Sequence, residues 1–94
     1  MKNLYVISGM TGMTGNELAR QIVAREDDVI GFDNFFASSI ETIQDVLDSP
    51  HLTFFEGDVN DENQMQELEQ KIFGLKDQYR KVIYINCAAV VHTE

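Results

Sequence analysis

Apolar residues in this chain fall into short blocks whose period alternates between that of a strand and that of a helix. Leu4-Tyr5-Val6-Ile7 is a continuous apolar run, as expected of a strand buried on both faces. From about Thr14 to Arg25 the period changes, and Leu18, Ala19, Ile22 and Val23 share one helical face. The polar turn Glu26-Asp27-Asp28 leads to a second apolar run, Val29–Phe32. A second helix is expected to start at Ser38 or Ser39. Ser38 and Glu41 have capping-box spacing, the apolar stripe is Ile40, Ile43, Val46 and Leu47, and Asp48-Ser49-Pro50 ends the helix. Leu52–Phe55 reads as a third strand. Asn60 or Asp61 can cap a third helix carrying Met65, Leu68 and Ile72, with Gly74 as its stop. Val82–Asn86 is a fourth strand. The order βαβαβαβ predicts a four-stranded parallel sheet with right-handed crossovers, in the order 3-2-1-4, and three helices: a Rossmann-type, doubly wound α/β fold.

Composition narrows what such a fold does. The 94 residues are 44% hydrophobic, enough for one small unit covering residues 1–94. No apolar span is long enough for a transmembrane helix, and MKNLYVIS lacks the features of a signal peptide. The single cysteine, Cys87, fits a reducing, cytoplasmic setting. A net charge of −9 repels phosphate backbones and anionic membranes, so neither nucleic acid nor membrane is an expected partner.

The chemistry concentrates between the first strand and the first helix. Ser8–Gly15 reads SGMTGMTG. Glycines at 9, 12 and 15 would serve the turn out of the strand, the close approach of a pyrophosphate, and tight helix packing, respectively. The helix start would add backbone N–H groups and the positive end of its dipole. A Walker A loop is excluded, because no Gly-Lys-Ser/Thr follows. Asp33 follows the second strand, 18 residues after Gly15, where a dinucleotide fold places the acceptor for the adenosine ribose hydroxyls. No Lys or Arg lies between Phe32 and Ser39 to receive a 2′-phosphate. NAD is therefore the expected cofactor, rather than NADP.

These residues resemble the extended branch of the short-chain dehydrogenase/reductase superfamily, which includes NAD-dependent nucleotide-sugar epimerases and dehydratases. Ser8–Gly15 has its G-x-x-G-x-x-G spacing, and Gly31-Phe32-Asp33-Asn34 is similar to its segment after the second strand. Phe55-Glu56-Gly57-Asp58-Val59 looks like its third-strand ending, and Asn86-Cys87-Ala88-Ala89 like its fourth-strand signature. The resemblance implies that Asp58 and Val59 face the adenine, and that Ala88 and Ala89 line the nicotinamide-ribose side. It extends the cofactor-binding set to Gly9, Thr11, Gly12, Met13, Thr14, Gly15, Asp33, Asn34, Ala37, Ser38, Cys87 and Val91. Three residues depart from the pattern: Met10 and Asn16 stand where smaller or hydroxyl residues are usual, and Thr14 where an aliphatic one is common.

The same resemblance implies a catalytic Tyr-x-x-x-Lys beyond the fourth strand. Tyr5, Tyr79 and Tyr84 are followed four positions on by Gly9, Ile83 and Ala88, so no catalytic residue is assigned. The chain is expected to be the N-terminal, dinucleotide-binding half of an oxidoreductase, isomerase or dehydratase of nucleotide-sugar metabolism. The alternative is a noncatalytic binding or interaction module, or a truncated fragment. Either way, the apolar fourth strand is expected to be an open edge that invites self-association or pairing with a chain supplying the missing half.

Other signals carry less. Asp58, Asn60, Glu62 and Glu69 match calcium-loop positions, but Asn63 replaces the required glycine. Cys87 has no partner or base in sequence and reads as a small buried hydrophobe. His51 and His92 have no metal-ligand spacing and read as surface residues, with His92 near the expected nicotinamide end. Phe35 and Phe36 would cover the adenine or pack the second helix.

Overall fold

The computed structural model describes residues 1–33, 40–58 and 60–87. Four strands, β1 (Leu4–Ser8), β2 (Asp28–Asp33), β3 (Leu52–Glu56) and β4 (Val82–Asn86), form one sheet in the order β3-β2-β1-β4. All pairings are parallel. Ser8 lies opposite both Phe32 and Asn86, and Asp33 opposite Glu56, so the C-terminal ends of all four strands share one edge of the sheet. This is the predicted doubly wound topology.

The continuous apolar runs arise because β1 and β2 are covered on both faces. On one face, Ile7 and Val29 pack with Ala19 and Ile22 of α1 (Met13–Ala24), with Val46 of α2 (Gln44–Leu47), and with Met10 and Ile43. On the other, Leu4, Val6, Ile30 and Phe32 pack with Leu68 and Ile72 of α3 (Glu62–Leu75). Phe32 stacks on Phe55 at a centroid distance of 5.2 Å. The two edge strands are more open, and Tyr84 on β4 is 63% exposed. A cleft of about 250 Å³ runs between α3 and β4, lined by Met65, Leu68, Ile72, Tyr84 and Ile85 among others.

Two boundaries differ from the sequence expectation. The second helix is only a 3-10 turn over Ile40–Ile43 followed by the single α turn α2. Ile43 and Val46, three apart, both reach the core, a spacing that a 3-10 turn serves as well as an α helix. Ser38, the expected cap, lies outside the described residues. Gly74 does not stop the third helix. It does not adopt a positive φ, Leu75 packs against the core beyond it, and α3 tightens into a 3-10 turn over Lys76–Gln78. Asp61 caps α3 by accepting from the Gln64 N–H at 3.1 Å.

The end of α1 is unusual in its residue type. The Glu26 N–H donates to Val23 O and the Asp27 N–H to Ile22 O, the double bond pattern of a Schellman ending. Glu26 holds the left-handed position with φ 66, where glycine is the usual occupant. The opposite end of the sheet is tied by Asp28, whose carboxylate accepts from the Tyr79 hydroxyl at 2.6 Å, contacts His51 Nδ1 at 3.1 Å, and pairs with Lys2 at 3.4 Å. Burial would raise the Asp28 carboxyl, but these partners together hold it below the ordinary carboxylate range. Burial and the same contact push Tyr79 up to about 12. His51, expected at the surface, is thus half-buried against Asp28, far from the glycine loop.

Candidate functional site

The glycine loop sits at the C-terminal edge of the sheet, between β1 and α1. Gly9 turns the chain out of β1 with φ 68, a conformation that strains any residue with a Cβ. The N–H groups of Gly9 and Met10 both donate to Phe32 O, at 2.9 and 3.2 Å, anchoring the loop to β2. Gly15 packs against the loop backbone. A Cβ there would lie 2.5 Å from Gly9 O and 2.8 Å from Met10 Cα, so the close approach expected of the third glycine is to the loop itself rather than to the strands.

Gly12 differs from both. Its φ of −71 and ψ of 168 are open to any residue, and among the described residues a Cβ would meet only Gly9 O, at 3.4 Å. Among the described residues, neither conformation nor packing demands glycine at this position. Gly12 also caps α1 with no side-chain hydrogen bond, and no acidic residue occupies the first turn. The helix therefore begins with backbone N–H groups and a positive dipole end that no carboxylate of its own neutralises. Met13 and Thr14 flank this start and are exposed, Met13 by 88%.

Asp33, at the end of β2, is buried to 9% exposure. Its Oδ2 accepts from the Thr11 N–H at 3.0 Å and from the Thr11 hydroxyl. The Asp33 carbonyl accepts from the Gly57 N–H at 3.0 Å, which draws the end of β3 and Asp58 alongside. Asp58 is held in turn: its N–H donates to Gln64 Oε1 and its Oδ1 accepts from the Asn60 N–H, both at 2.9 Å. On the other side, the Ser8 hydroxyl donates to Asn86 Oδ1 at 2.7 Å, and the Cys87 N–H donates to Ser8 O at 2.9 Å. Burial pushes the Cys87 thiol up, the opposite of what an activated nucleophile needs.

The structure thus brings Gly9, Thr11, Gly12, Met13, Thr14, Gly15, Asp33, Asp58 and Cys87 to one edge of the sheet. Asn34, Ala37, Ser38, Val59, Ala88, Ala89 and Val91, with Phe35, Phe36 and His92, lie outside the described residues. Sequence reasoning missed a supporting chain. Asn16 Nδ2 donates to the Gly12 carbonyl at 2.9 Å, Arg20 donates to Asn16 Oδ1, and Arg20 reaches both carboxylate oxygens of Asp45, at 2.9 and 2.7 Å. The Arg20 guanidinium holds the Asp45 carboxyl below its ordinary value. The signal was present in part: Asn16, Arg20 and the helix start share one face at i, i+4 spacing.

The arrangement combines bare backbone before a helix start without a side-chain cap with a buried carboxylate at the next strand end, the features by which a doubly wound fold can hold a dinucleotide. Comparison with solved structures finds relatives of the same fold. The chain is similar over its whole length to WbmH of Bordetella bronchiseptica, crystallised with NAD+, at 31% identity and a TM-score of 0.71. It is also similar in fold to the dTDP-glucose 4,6-dehydratase of Bacillus anthracis str. Ames in complex with NAD (16% identity, 95% of this chain, TM-score 0.72). The UDP-glucose 4-epimerase of Brucella ovis, also with NAD, gives 22% identity over 98% of this chain and a TM-score of 0.69. The chain spans only about a quarter of these proteins, 28%, 27% and 24% of their lengths respectively. No curated protein sequence matches it. A sequence model of the NAD dependent epimerase/dehydratase family matches residues 5–92, and the chain belongs to that family.

Proposed function

We propose that these residues are the NAD-binding part of a cytoplasmic enzyme that epimerises, dehydrates or oxidises a nucleotide sugar. The observation that carries the proposal is Gly12, a glycine that neither its own backbone angles nor its neighbours among the described residues require. Its missing side chain keeps open the approach to an uncapped helix start, as a pyrophosphate needs. Gly9 and Gly15 shape the loop, and the N–H groups opening α1 face the anion. Asp33 accepts from the ribose hydroxyls and repels a 2′-phosphate, while Asp58 and Val59 receive the adenine. Ala88, Ala89 and Val91, with Cys87, line the nicotinamide side. Bound NAD supplies a reversible hydride acceptor; the protein's part is to hold it, orient it and discriminate it from NADP.

The experiment is to incubate the complete protein with NAD and a panel of nucleotide sugars and follow the sugar carbons by NMR. NAD-dependent change at one sugar position is the expected result. No conversion of any nucleotide sugar, with NAD binding intact, would leave only the binding role.

A second reading is favoured by one observation: none of Tyr5, Tyr79 and Tyr84 stands four residues before a lysine. On this reading residues 1–94 bind NAD but catalyse nothing by themselves. The open β4 edge then pairs with another segment or another chain. Val82–Asn86 carries neither charge nor proline to discourage such pairing. Sedimentation of residues 1–94 at high concentration should show association, and a clean monomer would contradict it.

A further inference from the structure

We infer that Met10 and Gly31 form a size-matched pair that positions the glycine loop against Asp33, an inference that rests on the NAD-binding role proposed above. Met10 is fully buried, in the loop position where the family resemblance leads one to expect a small residue. Gly31 lies in the middle of β2, opposite Ile7 and Phe54. Glycine weakens a strand interior and there commonly marks a close approach. Gly31 has no positive φ to require it. The requirement is steric: a Cβ on Gly31 would lie 2.1 Å from Met10 Sδ, 3.1 Å from Cγ and 3.2 Å from Cβ. Swinging the thioether away would leave Met10 Cβ at 3.2 Å, and Ile7, Ala19, Ile22, Val29 and Ile43 share the cluster that encloses the side chain.

The pairing continues residue by residue along the loop and the strand. The Met10 side chain fills the hollow over Gly31, and the Met10 N–H donates to Phe32 O. The next loop residue, Thr11, gives its N–H to Asp33. Met10 is thus a peg that sets the register between the loop and the end of β2. A side chain on Gly31 lifts the peg, and the Thr11–Asp33 contact and the adjoining Gly12 backbone move with it. Met10 and Gly31 are positioning residues: they act through Thr11, Gly12 and Asp33.

The test uses Gly31→Ala, Gly31→Val and the swapped, roughly volume-conserving pair Met10→Ala/Gly31→Val in the complete protein. NAD affinity is read by calorimetry and Thr11 amide exchange by NMR. Gly31→Val is expected to weaken NAD about tenfold, the scale of one lost hydrogen bond, and to speed Thr11 exchange. Gly31→Ala should do the same to a lesser degree and serves if the valine variant does not fold. The swapped pair should recover most of both. A purely structural role predicts a lower melting temperature with unchanged NAD affinity in the folded variant, and that result overturns the inference. So does a swapped pair no better than Gly31→Val. If the parent protein binds no NAD, the NAD-binding role fails while the pairing is still read from Thr11: accelerated exchange in Gly31→Ala that the swap reverses supports it, and unchanged exchange overturns it.

Discussion

Thr11 donates both its backbone N–H and its hydroxyl to one carboxylate oxygen of Asp33. The two residues are 1% and 9% exposed, so the contact is made largely away from water, where a lost partner is costly. It joins the glycine loop to the end of β2 before any ligand arrives. Thr11→Val keeps the shape and removes the hydroxyl. It should cost about 1–2 kcal/mol of stability, measured by urea denaturation. It should also loosen the Asp33 carboxylate and weaken NAD binding. A valine variant as stable as the parent would show that the hydroxyl bond contributes nothing.

Gly15 should tolerate no side chain. Gly15→Ala puts a methyl group 2.5 Å from Gly9 O, against backbone that cannot rotate away. A loss of about 1–3 kcal/mol is expected from such overpacking, read as a fall in the urea midpoint. An unchanged midpoint would mean that the loop and α1 are less closely packed than described.

Glu26 should gain from becoming glycine. Its left-handed conformation costs a residue with a Cβ about 1–2 kcal/mol, against about 0.4–1 kcal/mol for the extra freedom glycine brings to the unfolded chain. Glu26→Gly should therefore raise stability by about 0.5 kcal/mol or more, without touching the site. A destabilised Glu26→Gly would contradict the assignment.

Tyr79 and Asp28 give stability a definite pH dependence. Tyr79 is raised from 10.0 to about 12. Its contribution is thus present below pH 10 and lost as pH climbs through 12, because the unfolded tyrosine ionises first. Asp28 is lowered, so its contribution is present above the ordinary aspartate value and lost as pH falls through the folded one. Tyr79→Phe should flatten the alkaline limb between pH 10 and 12 and lower stability near neutrality. Melting curves across pH check both. An alkaline limb unchanged by the substitution would place its origin elsewhere.

Much of this was legible in the sequence, because parallel strands buried on both faces leave continuous apolar runs and amphipathic helices leave a periodic stripe. Leu4–Ile7, Val29–Phe32 and Val82–Asn86 announced the sheet, and the helical face of Ala19 and Ile22 announced α1. The failures have local causes. Gly74 read as a stop until Leu75 found a place in the core, and tertiary burial outweighed the glycine. The Ile40–Leu47 stripe read as a long helix because spacings of three suit a 3-10 turn as well as an α helix. At the site, glycine spacing and Asp33 were visible. The Met10–Gly31 and Asn16–Arg20–Asp45 contacts were not, since no pattern along the chain says which distant side chains meet.

The central claim is that Gly12 is bare for a ligand and not for the fold. The most direct test titrates NAD by calorimetry into the complete protein and into its Gly12→Ala variant, with the urea midpoint of each measured alongside. Gly12 has angles open to alanine and only an ordinary contact at 3.4 Å, so stability should change by no more than about 0.5 kcal/mol. The parent should bind one NAD, and the variant should bind it at least about tenfold more weakly. Equal NAD affinity in the two proteins, or no binding by the parent, would contradict the account.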